Sequence, residues 1–554
     1  MYLTKKAERI IADESVAKAE HEARRIQSAM RFVFSSPSRR AAFIVSAIFS
    51  TFLAFYLWSD NLDAKFGLLD DHQVTSWMGP AKALNYAQAK QIFRSSEAMQ
   101  PGQSPRYRPV YFFLRVTETY LWRDNAKLWY ATRIVLFALA STILFYLGLS
   151  HFGLLTGLLL GSLVWTAAYW DSIWSLLGPA ETYACVGAFL YLWAVIAVLS
   201  ASSSDRLRTV AAFVLAVGSL IASGSKENFT ILFIPSALIV AFMLKAGTAS
   251  FAQISAIIAS IGFNLFVLNA VVRGTATSGK DIYEQNVSSS RLKKLEVLFN
   301  GQDSFWMIVL AALCLSLTVW YLARKRQDLA AIFRQTLLAP VVIVFVLYFV
   351  YASQIVFYNG YWDLNSRYAF PGELLYWGAW LVLLYGLERA LDRISPSGAL
   401  SMRKLAVAIL ACLLVWFGFD ANRAFAATNR SNTIKLHAAI TRAKTALTAN
   451  PGSHLILYSA TLNDYESIAA IKLYLDYQGL NGRVMFQMAD PYSSQQWPKD
   501  LAAAIYPHLV EATRGTPGGF IPLRLDPAAG DCYRLQISGA PLKDSCISLG
   551  FVLD

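Results

Sequence analysis

Two adjacent aspartates, Asp70 and Asp71, followed by His72, share one polar stretch with two arginines that each have a proline beside them, Arg106 and Arg108. Side-by-side carboxylates repel, so one of them can keep a raised pKa and serve in proton transfer. Arginine offers a planar, permanently charged fork that suits phosphate oxygens. A base and a phosphate clamp could share one loop. The alternative is a solvated turn, since Asp-Asp pairs are common in loops.

Further polar groups stand at the ends of apolar runs. Asp171 and Glu181 flank the segment that ends in GPAETY, and either could hold an acceptor hydroxyl or a metal. Glu181 also reads as a first-turn charge that favours a helix dipole. In SGSKENF, Lys226 and Glu227 join two apolar runs with almost no loop. They would either neutralise each other at the membrane boundary or divide, with Lys226 on a phosphate and Glu227 on a sugar hydroxyl or the next helix. The segment YNGYWDLNSRYAFPGELLY holds Asp363, Arg367 and Tyr368. Its aromatics suit an interface belt. Arg367, within a turn of the next helix, would oppose that helix's dipole unless an anion lies nearby. A divalent metal through Asp71, Glu181 or His72 stays open, although no ligand spacing marks one and there is no Cys-x-x-Cys or His-x-x-x-His.

The elements that must position these groups are membrane spans. Of the 554 residues 56% are hydrophobic and 15% charged, with a mean hydropathy of +0.41. That is too apolar for an ordinary soluble enzyme. The formal charge of +13 is dispersed among the apolar runs, which fits loop orientation and anionic membrane lipids and argues against nucleic acid as a partner. Residues 1–40 are charged and helix-forming, lack the apolar core of a signal peptide and are expected in the cytoplasm. Apolar runs follow at 41–58, 129–149, 153–170, 181–200, 209–223, 228–245, 252–272, 304–322, 336–358, 371–390 and 404–419. They predict a polytopic α-helical membrane protein with about eleven spans. With the N-terminus inside, Arg206, Arg208, Lys245, Arg324 to Arg326 and the basic residues of 393–404 all fall in the cytoplasm, as the positive-inside rule asks. Every polar group named above then lies outside, in loops 59–128 and 273–303 and in the shorter connections. The segment SSRLKKLEVLF, 289–299, reads as a helix lying on the bilayer surface, either a plain one or a lid.

From 421 to 554 the sequence turns polar, with LILYSA and GRVMFQM as strands around a helical 468–480, and predicts a C-terminal soluble α/β domain outside the membrane. A separate helix over 437–450 is expected to precede it, ended by Pro451-Gly452. Cys185, Cys314 and Cys412 sit in apolar runs, whereas Cys532 and Cys546 lie in polar sequence. An outer compartment would let that pair form a disulfide.

An acidic pair in the first outer loop, a basic residue before proline later in it, a Lys-Glu turn between middle spans and Arg367-Tyr368-x-x-Pro371 opening a late outer helix together resemble the GT-C superfamily of membrane glycosyltransferases. The resemblance is to members that use polyprenyl-phosphate sugars, the aminoarabinose and dolichyl-phosphate-mannose transferase types, and covers roughly 41–420. It implies an inverting transferase of the bacterial inner membrane. The donor would be a polyprenyl-phosphate-linked sugar and the acceptor a glycan, lipid or protein. By resemblance Asp70 or Asp71 is the catalytic base, and Arg108 and Arg367 contact the donor phosphate. The chain departs from the aminoarabinose type in having one proline after Arg108 and Lys-Glu at 226–227. Such a donor requires no nucleotide, in keeping with the lack of a nucleotide-binding loop. A transporter or flippase for a lipid-linked anion would call for internal repeats and helices broken near the midplane, whereas no clear repeat shows and the ionisable groups gather at one face. A surface-polysaccharide polymerase or ligase shares the outer site and remains a rival.

Overall fold

The structure is a computed structural model. It describes residues 39–67, 71–104, 106–199, 205–247, 249–278, 338–358, 367–394, 399–449, 454–459, 470, 473–480, 484–488, 520–522, 533–534 and 546–552. Asp70, Asp363, Cys532, the 289–299 segment and residues 1–38 lie outside the described residues.

The chain is a bundle of apolar helices. Helix α1 (Arg39–Trp58) leads through a 3-10 turn (Ser59–Asp63) to the short helices α2 (His72–Met78) and α3 (Tyr86–Ser95), then to α4 (Pro109–Trp122) and α5 (Ala126–His151). Next come α6 (Leu154–Val164), α7 (Trp170–Trp174), α8 (Glu181–Leu199) and α9 (Asp205–Ser225). A 3-10 turn (Glu227–Leu232) opens α10 (Phe233–Lys245), followed by α11 (Phe251–Ser278) and α12 (Leu338–Tyr358). A further 3-10 turn (Arg367–Ala369) precedes α13 (Phe370–Ile394), and α14 (Ala399–Ala449) completes the helical part. Among the described residues six helices are long and apolar enough to cross a membrane, spanning 40–63, 126–151, 181–199, 205–225, 227–245 and 251–277. The molecule is thus a multi-pass helical membrane protein.

Apolar patterning explains which helix goes where. Helix α8 is apolar on all sides and buried along nearly its whole length, so it sits at the centre. Its Gly187 faces Gly218 and Ala222 of α9 so closely that a methyl at Gly187 would fall 2.5 Å from the Ala222 amide nitrogen. Small residues let the two backbones approach, which is the usual way membrane helices pack. By contrast α1, α9 and α11 expose large apolar side chains such as Ile48, Phe213 and Phe251, the faces that lipid would cover. Trp58, Trp165, Trp170 and Trp174 are fully buried around Phe137 near one end of the bundle.

The turns that deliver polar groups to that end are set locally. Pro109 occupies the first turn of α4, where a missing N–H costs nothing, and leaves Arg108 non-helical just ahead of it. Asn85 caps α3 with a reciprocal capping box to Gln88.

Helix α14 differs from the expectation of a span and a separate later helix. It is one element of 51 residues, about 77 Å at 1.5 Å per residue. No proline or glycine follows Gly418 until Pro451, so the shift to polar composition near 420 changes what the helix faces without breaking it. Its Asn422 donates to the Trp165 carbonyl at 2.9 Å, and Asn429 donates to Asn61 Oδ1 and the Ser175 carbonyl, each at 3.0 Å. Beyond it, strands β1 (His454–Ser459), β2 (Val484–Met488), β3 (Phe520–Pro522), β4 (Tyr533–Arg534) and β5 (Cys546–Val552) form a mixed sheet in the order β2-β1-β5-β3, with β4 also on β5. Strands β1 and β2 are parallel, Leu455 opposite Val484, and β5 runs antiparallel to β1, β3 and β4.

Candidate functional site

Four turns at one end of the bundle converge on a group of charges. Lys226 lies between α9 and the following 3-10 turn with extended backbone angles, φ −142 and ψ 125. Neighbours on an extended segment point in opposite directions. Lys226 accordingly turns to Glu181, with which its Nζ forms a fully buried ion pair, while Glu227 turns to Arg108. Arg108 Nε and Nη2 donate to the two carboxylate oxygens of Glu227 at 2.8 and 2.9 Å, a bidentate fork. Lys226 and Glu227 therefore do not neutralise each other; each pairs across the bundle.

Tyr368 forms the next wall. The Lys226 ammonium lies 5.1 Å from its ring centre and the Arg367 guanidinium 5.2 Å, and Arg367 Nη2 donates to the Tyr368 hydroxyl at 3.2 Å. Asn228 donates to Gln354 Oε1 at 2.5 Å, and Gln354 in turn donates to the Tyr368 carbonyl at 2.6 Å, which fixes that residue against α12. Glu181, the first residue of α8, lies in the field of Lys226, Arg367 and Arg108 together. Glu97 closes the group from the loop side. Burial pushes its carboxyl above the usual range, with Arg108 and Arg106 opposing that rise, and it accepts from the Ser104 hydroxyl at 3.3 Å. Among the described residues the group counts Arg106, Arg108, Lys226 and Arg367 against Glu97, Glu181 and Glu227. Cations exceed carboxylates, and one carboxylate is biased toward its neutral form.

Asp71 occupies a different setting. It is 1% exposed; its Oδ2 accepts from the Gly67 amide at 2.7 Å and its Oδ1 from the Leu177 amide at 3.1 Å. The Leu177 carbonyl accepts from Arg115 Nη1 and, at 3.2 Å, from Arg133 Nη2. Arg133 also forks onto Glu118, at 3.2 and 2.7 Å, and donates to the Tyr183 hydroxyl at 3.1 Å. The loop that carries the acidic pair is thereby tied through one peptide segment to arginines of α4 and α5. His72 is the first residue of α2 and is half-buried.

The carboxyl of Asp171, on α7, is raised to about 7 by burial, with hydrogen bonds from the backbone and the hydroxyl of Ser172 opposing, and its Oδ1 is buried without a hydrogen-bond partner. None of the groups acting on it belongs to the charge cluster. Of the residues singled out from sequence, Arg106, Arg108, Glu181, Lys226, Glu227, Arg367 and Tyr368 come together. Asp71 and His72 stand on the tied loop, Asp171 stands apart, and Asp70 and Asp363 lie outside the described residues. Sequence reading missed Glu97, and also Arg115, Glu118 and Arg133. Arg133 was hidden inside the apolar run 129–149, where a charge at membrane depth is itself a signal, whereas Arg115 and Glu118 fell in the stretch 59–128 that was read as a loop. Among the described residues no three His, Cys, Asp or Glu side chains are placed to hold a metal ion.

No family model and no curated protein matches the chain. Two solved structures are similar to it. The crystal structure of ArnT from Cupriavidus metallidurans bound to undecaprenyl phosphate is 12% identical, with 92% of this chain and 97% of that one covered and a TM-score of 0.42. The same protein in the apo state is 13% identical, with 85% and 88% covered and a TM-score of 0.43. Likeness at this level assigns no activity.

Proposed function

We propose that the chain is an inverting glycosyltransferase that moves a sugar from a polyprenyl-phosphate donor to a hydroxyl of a glycan, lipid or protein acceptor. The observation that carries this reading is the gathering of Arg108, Lys226 and Arg367, from three separate elements, around Glu181 at one end of membrane-length helices. One buried and three part-buried cations in excess of their carboxylates, at the level where a lipid headgroup would sit, suit an anionic group delivered from the bilayer. Glu227 and Glu181 hold Arg108 and Lys226 in place before any donor arrives, so the cations need no rearrangement when charge develops on the leaving phosphate.

In the reaction, the acceptor oxygen bonds to the anomeric carbon as the bond from that carbon to the phosphate oxygen breaks. The electron pair leaves with the polyprenyl phosphate, and the hydroxyl proton passes to an aspartate. Asp70 is the base in this reading. Asp71 anchors the loop, because both of its oxygens already accept backbone amides, and the adjacent residue of the pair is then the one left for the acceptor. In this reading Asp171, His72 and Asp363 meet the acceptor hydroxyls, while Glu181 stays with Lys226. The end of the bundle that carries the site faces the periplasm of a bacterial inner membrane. The chain crosses about eleven times from a cytoplasmic N-terminus, and residues 421–554 form an outer α/β domain.

The test is to incubate purified protein with a labelled polyprenyl-monophosphate sugar and candidate acceptors. Release of free polyprenyl phosphate coupled to sugar transfer supports the reading. Movement of intact donor across a vesicle bilayer without bond cleavage would replace it with a flippase.

A further inference from the structure

A second concave site lies away from the charge cluster. A cavity of about 500 Å³ opens between the segment that follows α1, the first turn of α5, the later part of α14 and the helical turn 473–477. That volume is within the range of small-molecule sites, about 300 to 1,000 Å³. Its walls include Lys65, Lys82, Lys127 and His437 together with Asp63 and Asp124.

Three features give the cavity a positive character. Lys82 adopts a left-handed backbone, φ +57, directly after the Gly79–Ala81 turn, a conformation that glycine or asparagine would take more readily. Lysine in that conformation holds its ammonium 5.2 Å from the centre of the Tyr477 ring, which also lines the cavity. A cation set by a disfavoured backbone on the wall of a cavity is the kind of local cost that marks a site. Burial, then Lys65, then Lys82 hold the His437 imidazole below its ordinary value. Asp63 is engaged by Arg430 at 3.4 Å, which leaves the lysines less opposed than a count of charges suggests.

We propose that this cavity binds an anionic sugar, a pyranose bearing a phosphate or a carboxylate, with the lysines on the anionic substituent and Asp63 and Asp124 accepting from ring hydroxyls. A bare inorganic anion would fill little of the volume, and a neutral sugar would leave the cationic wall unanswered. The occupant sits where the membrane bundle meets the segment that holds Tyr474 and Tyr477, so it bridges the two. This inference does not depend on the transferase reading, and its test involves no transfer of sugar.

The experiment uses the full chain in detergent with histidine labelled for NMR, His437 being assigned by its loss in His437→Gln. Saturating glucose 6-phosphate or glucuronate, at constant ionic strength, should raise the His437 pKa by about half a unit or more, since a nearby anion favours the charged imidazole. Whichever of the two acts at lower concentration tells whether phosphate or carboxylate is preferred. Glucose alone should leave the pKa where it was. In Lys65→Ala/Lys82→Gly the response should vanish. Glycine suits the positive φ of position 82 and Lys65 is exposed, so that variant keeps its fold. No shift with either anionic sugar, an equal shift with inorganic phosphate at the same concentration, or a shift that survives in the double variant would each overturn the proposal.

Discussion

Two arginine–carboxylate forks flank the same helix and do different things. At one end of α4, Arg108 grips Glu227 with side chains 14% and 4% exposed. Farther along the helix, Glu118 is gripped by Arg133, 1% exposed, from α5. Both are bidentate, Arg108 through Nε and Nη2 and Arg133 through its two Nη atoms. What differs is the company: Arg133 also holds the Leu177 carbonyl and the Tyr183 hydroxyl, so its donors tie together pieces of the fold. Arg108 stands in a group with Arg106, Lys226, Arg367 and three carboxylates, four cations to three. A buried ion pair by itself is weak ground for either stability or function. An excess of one sign, at the end of a bundle, is the feature that separates the two.

Substitutions should split along the same line. The largest effect is expected at the loop that the sealed fork, Arg133 on Glu118, secures through Leu177: Asp70→Asn should keep fold and donor binding while turnover falls by about a hundredfold to ten-thousandfold, the usual cost of a lost general base. Near-parental transfer by Asp70→Asn at saturating donor and acceptor would remove Asp70 from the chemistry. Next, Glu118→Leu leaves Arg133 buried without its carboxylate, which typically costs about 3 to 5 kcal/mol. Thermal unfolding in detergent should register that loss, and if Glu118→Leu unfolds like the parent the sealed fork is not structural. Arg108→Lys should weaken donor binding by about tenfold, the worth of one charge-assisted hydrogen bond of roughly 1.5 kcal/mol, with little change in unfolding. A destabilised Arg108→Lys with normal donor affinity would erase the contrast between the forks.

A separate effect, outside both forks, is a pH dependence at Asp171. Its folded pKa of about 7 is above the ordinary value of 3.8, so between the two the folded chain holds a proton that the unfolded chain has lost. Stability from this residue is therefore full below the unfolded value and declines as pH rises toward the folded one. Asp171→Asn should flatten that decline, measured as the midpoint of thermal unfolding across the interval. An unchanged profile would mean that the carboxyl is better solvated than its burial implies.

Much of the open cluster was legible because its residues announce themselves locally. Pro109 fixes where α4 starts and so where Arg108 must stand, and the short joint at Ser225 to Glu227 leaves Lys226 no room to reach solvent. Which carboxylate meets which cation was not legible: Lys226 and Glu181 are 45 residues apart and Arg108 and Glu227 are 119 apart. Such pairings are set by how α8, α9 and α4 pack. Glu97 escaped notice for the same reason, since nothing next to it in the loop hints at Arg108. The polar turn of the sequence near 420 suggested a boundary, yet helix continuity depends on the absence of breakers, and α14 runs through it.

A single residue of extended backbone, Lys226 between α9 and the 3-10 turn, sends two neighbouring charges to opposite partners. An insertion or deletion at that joint would turn one of them away from its partner and leave a buried charge unanswered. Distant descendants of this chain should preserve that spacing after most of the letters around it have been rewritten.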